Sequence, residues 1–252
     1  MLLLFENSSI FRKAYKMLKK LKRRVYEANM SLPRYGLVLF TWGNVSEVDA
    51  ERRYMVIKPS GVRYEEMEWD QMCVIDMESG LTVDGDLRPS SDTPTHLELY
   101  RRFPDISGIA HTHSTYATAF AQAGLGIPCY GTTHADYFYG EIPCARPLKN
   151  NEIRDDYELN TGRVVADTFE IRAINPQAVP GALISGHGPF AWGESASDAT
   201  VNAAFLEEIA RLSYLTRRLA GSVPNNLTPV SQDLLDKHYY RKHGSNAYYG
   251  QK

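Results

Sequence analysis

The sequence predicts an α/β fold, with one sheet carrying helices on both faces. Three observations point to it. Short apolar runs rich in β-formers mingle with segments of helical periodicity along the whole chain. No Pro/Gly-rich linker, repeat or low-complexity stretch divides the 252 residues, so a single domain is expected, and 43% hydrophobic residues suffice for its core. Several strand-like runs also lie close enough in the chain to pair antiparallel.

The elements follow in order. The opening "MLLLFENSS" is too short an apolar stretch for a signal peptide or a membrane span, which predicts a soluble, cytoplasmic protein. Between Arg12 and Arg24 eight of thirteen residues are basic, while Phe11, Leu18, Leu21 and Val25 recur at helical spacing. This is an amphipathic helix whose cationic face is expected to be solvated rather than membrane-bound. "GLVLFT" (36–41), "YMVIK" (54–58) and "MCVID" (72–76) read as strands. "TPTHLELYRRF" reads as a helix with Pro94 in its first turn, "DISGIAHTH" as a strand, and "STYATAFAQAG" as a helix closed by Gly124. A strand at 182–185 runs into the glycine-punctuated "SGHGP". A long helix capped by Ser197 or Asp198 and a last helix, "SQDLLDKHYYRKHG", precede an aromatic tail.

Charge and cysteine usage exclude some functions. Twenty-eight basic against thirty acidic residues leave −2, no global field for nucleic acid or an anionic membrane, so any anionic substrate must be held locally. Three widely spaced cysteines, odd in number, fit a reducing compartment.

The chemistry concentrates in a few segments. In "GIAHTHS" His111 and His113 stand at i and i+2, which places both imidazoles on one face of an extended strand. His187, between Gly186 and Gly188, can present a third imidazole from the end of a second strand. Three imidazoles with an open position describe a catalytic rather than a structural metal site. Asp92 is either a fourth ligand or the N-cap of the helix beginning at Thr93 or Pro94, and the residues alone leave both open. "TWGNVS", "KPSG" and "RPSSD" offer hydroxyls, small residues and backbone N–H groups, with Lys58 as a cation, and together suggest a small phosphorylated substrate. In the loop "GTTHADYFYG" Asp136 is an acid–base candidate, and the tail "RKHGSNAYYGQK" carries Tyr248 and Tyr249.

In their order and spacing, "TWGNVS", "IKPSGV", "PSSDTPTH", "HTHS", "GTTHADYFYG", "HGPFAWG" and "LLDKHY…RKHGSNAYYGQ" resemble the class II aldolase/adducin family, and within it the L-ribulose-5-phosphate 4-epimerases. The resemblance runs from about Leu18 to the C-terminus, leaving 1–17 as an N-terminal extension of a single domain, 18–252. It implies a three-layer α/β/α domain around a central, largely antiparallel sheet, assembled as a cyclic homotetramer with active sites shared between adjacent subunits. It implies a phosphorylated ketopentose substrate and a divalent ion, Zn2+ or alternatively Mn2+ or Co2+, on Asp92, His111, His113 and His187. Gly43, Asn44, Ser60, Gly61, Ser90 and Ser91 would hold phosphate and sugar, joined by Lys58, His238 and Arg241. Asp136 would be one acid–base group and Tyr249, from the adjacent subunit, the other. Sugar-phosphate aldolases of this type usually carry Glu where this chain has Asp92, which favours epimerisation. The rivals are an aldolase that releases its aldehyde and a non-catalytic, adducin-like interaction domain.

Overall fold

The computed structural model describes residues 9–221, 227–245 and 247–249; the opening run 1–8 and the side chain of Phe11 lie outside the described residues. Helix α1 (Ser9–Arg34) buries Leu21, Val25, Ala28 and Leu32, a stripe at helical spacing worth roughly 1.5–3 kcal/mol for each Leu or Val. Part of its basic face is satisfied within the chain. Lys22 pairs with Asp84 and donates to the Asp70 carbonyl, Arg24 pairs with Glu47, and the Arg23 guanidinium lies over Trp69.

Residues 36–41, predicted as a strand, are a loop instead. Gly36 and Phe40 adopt positive φ (69° and 56°), and the Leu37 N–H turns back to the Leu32 carbonyl. Leu37 and Val38 are buried with α1, while Leu39 and Phe40 face solvent. The run's apolar character serves packing without pairing. The strand lies further on, as β1 (Asn44–Val48).

Then follow β2 (Tyr54–Ile57), β3 (Cys73–Asp76), β4 (Thr82–Asp84), α2 (Thr93–Arg102), β5 (Gly108–His111), α3 (Thr115–Gln122), α4 (Thr132–Ala135) and β6 (Cys144–Ala145). The chain continues as α5 (Asn150–Arg154), α6 (Tyr157–Ile171), β7 (Gly181–Ile184), β8 (Pro189–Gly193), α7 (Ala196–Ala220) and α8 (Gln232–Tyr240). The strands form one sheet in the order β4-β3-β2-β1-β5-β8-β7-β6. Every pairing is antiparallel except β6 with β7.

Period-two alternation divides the sheet between two cores. Met55, Ile57, Cys73, Ile75, Ile109, Phe190 and Trp192 face the one shared with α2 and α6, while Val56, Val74, Ala110 and Ala191 face the one shared with α1. Helix α7 contributes Ala196, Ala199 and Ala203 to the second and Leu206, Ile209 and Ala210 to the first. Its cap is Ser195, whose hydroxyl accepts the Asp198 N–H; neither Ser197 nor Asp198 fills that place. Helix α8 ends at Tyr240, short of the predicted Gly244. Among the described residues no helix is long and apolar enough to cross a membrane.

Candidate metal centre

The site begins where β5 ends. His111 is the last residue of that strand, on the face of Ile109, and stacks on its cross-strand partner Phe190 with ring centroids 4.1 Å apart. Two glycines let the chain close around it. A Cβ on Gly43 would stand 2.8 Å from the His111 carbonyl oxygen, and one on Gly188 2.9 Å from the Thr112 carbonyl oxygen. His113, two residues past His111, keeps to the same side, and His187 arrives from the turn between β7 and β8, where Gly186 takes φ 77°. The three predicted imidazoles therefore meet, with ligand atoms all within 4.8 Å of one another.

Their chemistry suits a divalent cation. His111 Nδ1 donates to the Pro189 carbonyl at 2.9 Å, which leaves Nε2 as a lone pair, and His113 Nε2 stands 3.1 Å from it. Tetrahedral zinc with bonds of about 2.0–2.1 Å needs nitrogens about 3.3 Å apart, so this pair already has nearly the required spacing. Burial, then the neighbouring His111 and His113, pushes His187 down to about 3; burial, then His111, lowers His113 as well. Neutral rings with available lone pairs are what such an ion requires.

Asp92 occupies the N-cap position of α2 without capping it. Its Oδ2 instead accepts from Asn44 Nδ2 at 2.7 Å, and Asn44 stands opposite His111 in the β1–β5 register. Burial opposes ionisation of Asp92, yet the adjacent His111 and His96 and the Asn44 hydrogen bond outweigh it and hold the carboxyl below the usual range. His96, one turn along α2, is fully buried and pushed to about 3 by desolvation, with Nδ1 2.7 Å from the Ser46 hydroxyl. A residue not singled out from sequence, Tyr157, places its hydroxyl 3.3 Å from His187 Nδ1 and its ring at 29° to the imidazole.

A second wall adjoins this centre. The loops at 58–61 and 88–92 run side by side, joined by Ser60 N–H to the Arg88 carbonyl at 2.8 Å and Ser90 N–H to the Lys58 carbonyl at 3.0 Å. These two amides are thus engaged, whereas the side chains of Ser60 and Ser91 face solvent and Gly61, at φ 70°, has open space around it. Asn44 Nδ2 also reaches the Ser90 hydroxyl at 3.1 Å, which ties the wall to Asp92. Lys58 lies beneath it, 1% exposed, donating to the Val62 carbonyl at 2.7 Å, and burial lowers its ammonium to about 8.

The acid–base candidates gather elsewhere. Asp136 follows α4 and forms a bidentate pair with Arg241 (2.9 and 2.6 Å), a contact with His238 at 3.0 Å and one with Lys242 at 3.5 Å. Burial raises Asp136, but hydrogen bonds from Arg241 and His238 prevail and hold it below the usual carboxylate range. Arg241 also lies over the Tyr249 ring at 4.7 Å. Asp136 and Tyr249 therefore share one cluster of one chain, where sequence reasoning assigned them to different subunits. His238 and Arg241, expected at the substrate, are engaged with Asp136. Among the described residues no hydrogen bond or ion pair links this cluster to the three histidines.

Residues 23–214, well over half of the chain, match the family of the Class II Aldolase and Adducin N-terminal domain. The chain belongs to the class II aldolase/adducin family. It superposes on an L-fuculose 1-phosphate aldolase with a TM-score of 0.71 at 22% identity, over 87% of this chain and 94% of that one. YgbL from Klebsiella pneumoniae gives 0.67 at 22%, over 86% and 97%. A sugar-phosphate aldolase from Thermotoga maritima gives 0.63 at 18%, over 84% and 99%. At such identities the likeness establishes the fold, and the predicted largely antiparallel sheet with its helices is the class II aldolase fold. In this fold the histidine trio, set on the ends of adjoining strands, can hold a divalent metal.

Proposed function

We propose that this class II aldolase-family chain is a metal-dependent epimerase interconverting L-ribulose 5-phosphate and D-xylulose 5-phosphate. The observation that carries the reading is Asp92, whose short carboxylate is drawn to Asn44 beside the histidines. A Glu at this place could reach past the ion to move a proton at carbon; the shorter Asp is suited to holding the ion.

A divalent ion, Zn2+ or with the same donors Mn2+ or Co2+, held by His111, His113, His187 and Asp92, supplies Lewis-acid stabilisation of charge on the ketose oxygens. The chain's own residues do the rest. Gly43, Asn44, Ser60, Gly61, Ser90 and Ser91 line the wall that receives phosphate and sugar, and the Lys58 ammonium beneath adds positive charge. Because the C4 hydrogen is not adjacent to the C2 carbonyl, inversion proceeds by breaking C3–C4. Asp136 or Tyr249 takes the C4 hydroxyl proton, the C3–C4 electron pair stays on C3 as part of an enediolate, and glycolaldehyde phosphate is formed. The aldehyde turns its other face, C3 attacks again, and the new C4 oxygen takes a proton from the other group.

The Asp136–Tyr249 cluster and the trio share no hydrogen bond or ion pair among the described residues, which is compatible with a site built from two copies. In this reading one protomer of a cyclic homotetramer supplies both groups to the histidines of the next. Mixing His113→Ala with Asp136→Asn chains should restore about a quarter of the sites, as random assembly of two chain types requires. Mixing Asp136→Asn with Tyr249→Phe should restore none, since either chain then carries a damaged cluster. The decisive assay follows D-xylulose 5-phosphate formed from L-ribulose 5-phosphate, with and without chelator. No conversion by the metal-loaded protein would reject the reading. Glycolaldehyde phosphate trapped in stoichiometric amounts would favour the aldolase alternative, the activity named for two of the similar folds.

A further inference from the structure

We propose that Tyr157 is a positioning residue of the metal centre, its hydroxyl accepting the Nδ1 proton of His187 and thereby fixing the tautomer that leaves Nε2 for the ion. This rests on the trio being a metal centre and is independent of which sugar phosphate is turned over.

The three imidazoles are not equally constrained. His111 is held by a backbone carbonyl on Nδ1 and by stacking on Phe190, both inside the sheet. His187 stands on a glycine-flanked turn, half-exposed, where the backbone fixes neither the rotation of the ring nor the nitrogen that carries the proton. Among the described residues its polar contact is the Tyr157 hydroxyl, 3.3 Å from Nδ1. With Nδ1 turned to a phenol oxygen, Nε2 is the nitrogen left for His111 and His113, whose ring centroids lie 4.8 and 5.2 Å away. Outer partners of this kind orient a ligating imidazole and set its tautomer.

Tyr157 is itself well placed to impose a position. It is the first residue of α6, after Asp156 at φ 54°, and its carbonyl accepts the Thr161 hydroxyl at 2.9 Å. The next residue's carbonyl accepts the Thr95 hydroxyl at 2.6 Å, binding this turn to α2, the helix that begins at Asp92. Gly162 lets the two helices close, since a Cβ there would stand 2.9 Å from the Thr95 carbonyl oxygen. One closely packed pair of helices thus carries both the Asp92 carboxylate and the Tyr157 phenol.

The test uses the full chain and zinc itself. Tyr157→Phe keeps the stacked ring and removes only the hydroxyl oxygen. Competition against a chromophoric chelator should show zinc bound about tenfold more weakly, the lower end of the range for outer partners because water can reach the vacated position. Nitrogen-15 spectra of the metal-free chain should show His187 protonated on Nδ1 in the wild type and a mixture of tautomers in the variant. The urea midpoint of the metal-free variant should match wild type, which separates positioning from folding. Unchanged zinc affinity in Tyr157→Phe, or wild-type His187 protonated on Nε2, would overturn the assignment. Wild-type protein that binds zinc yet fails to convert L-ribulose 5-phosphate would reject the epimerase reading and leave this one to be decided by the same two measurements.

Discussion

His134 offers a quantitative test of how burial shapes the loop that carries Asp136. The ring is 4% exposed, and Nε2 donates to the Gly140 carbonyl at 2.7 Å, closing residues 134–140. Burial pushes its pKa from 6.5 to about 4, although the Gly140 hydrogen bond works in the opposite direction. The unfolded chain therefore binds this proton more tightly than the folded one. Stability is complete above pH 6.5 and is lost as pH falls toward about 4. Linkage between these two values withdraws about 2 kcal/mol on going from about pH 7.5 to about pH 5. His134→Gln abolishes the titration while keeping an N–H donor. Urea unfolding at both pH values and one protein concentration should show wild type losing about 2 kcal/mol more than the variant over the interval. A constant offset of about 1–3 kcal/mol, should Gln not reach Gly140, cancels in that difference. Equal losses in the two proteins would refute the argument that burial governs this histidine.

Other perturbations address the site directly. His113→Ala should lose zinc and turnover together, read by metal stoichiometry alongside the sugar-phosphate assay; full turnover by metal-free protein would remove any Lewis-acid role. Tyr249→Phe should retain zinc and slow turnover by roughly 10²–10⁴-fold, the expectation for a lost acid–base group, whereas an unchanged rate would reduce the tail to packing. Gly43→Ala puts a Cβ 2.7 Å from Val38 Cγ1 at a φ of 73°. The left-handed backbone alone costs about 1–2 kcal/mol, so the melting temperature should fall, and zinc affinity with it as the His111 carbonyl is displaced.

The sequence made the histidine trio legible because its cues are local. An HxH at a strand end and a histidine between glycines need only short-range geometry, and β2 and β3 announce themselves by apolar β-formers. Strand β1 was hidden because Asn44, Ser46 and Glu47 read as polar, yet all five of its residues are buried. Each polar one has a distant partner: Ser46 bonds His96 and Tyr100, and Glu47 accepts from Arg24 and the Ala196 N–H. Helix α6, and Tyr157 with it, passed unnoticed because Gly162 interrupts its pattern, and that glycine is explained only by the approach of α2. The union of Asp136 with His238 and Arg241 spans more than a hundred residues, beyond the reach of any periodicity.

The indole of Trp42 stands half in water with its ring 6.1 Å from His113, on the loop that Gly43 closes against His111. An open-shell ion such as Co2+ among the imidazoles would quench an emitter at that range, while closed-shell Zn2+ would leave it bright. Loading of the trio with Co2+, and its displacement by Zn2+, would thus be followed by intrinsic fluorescence, without a label on the protein.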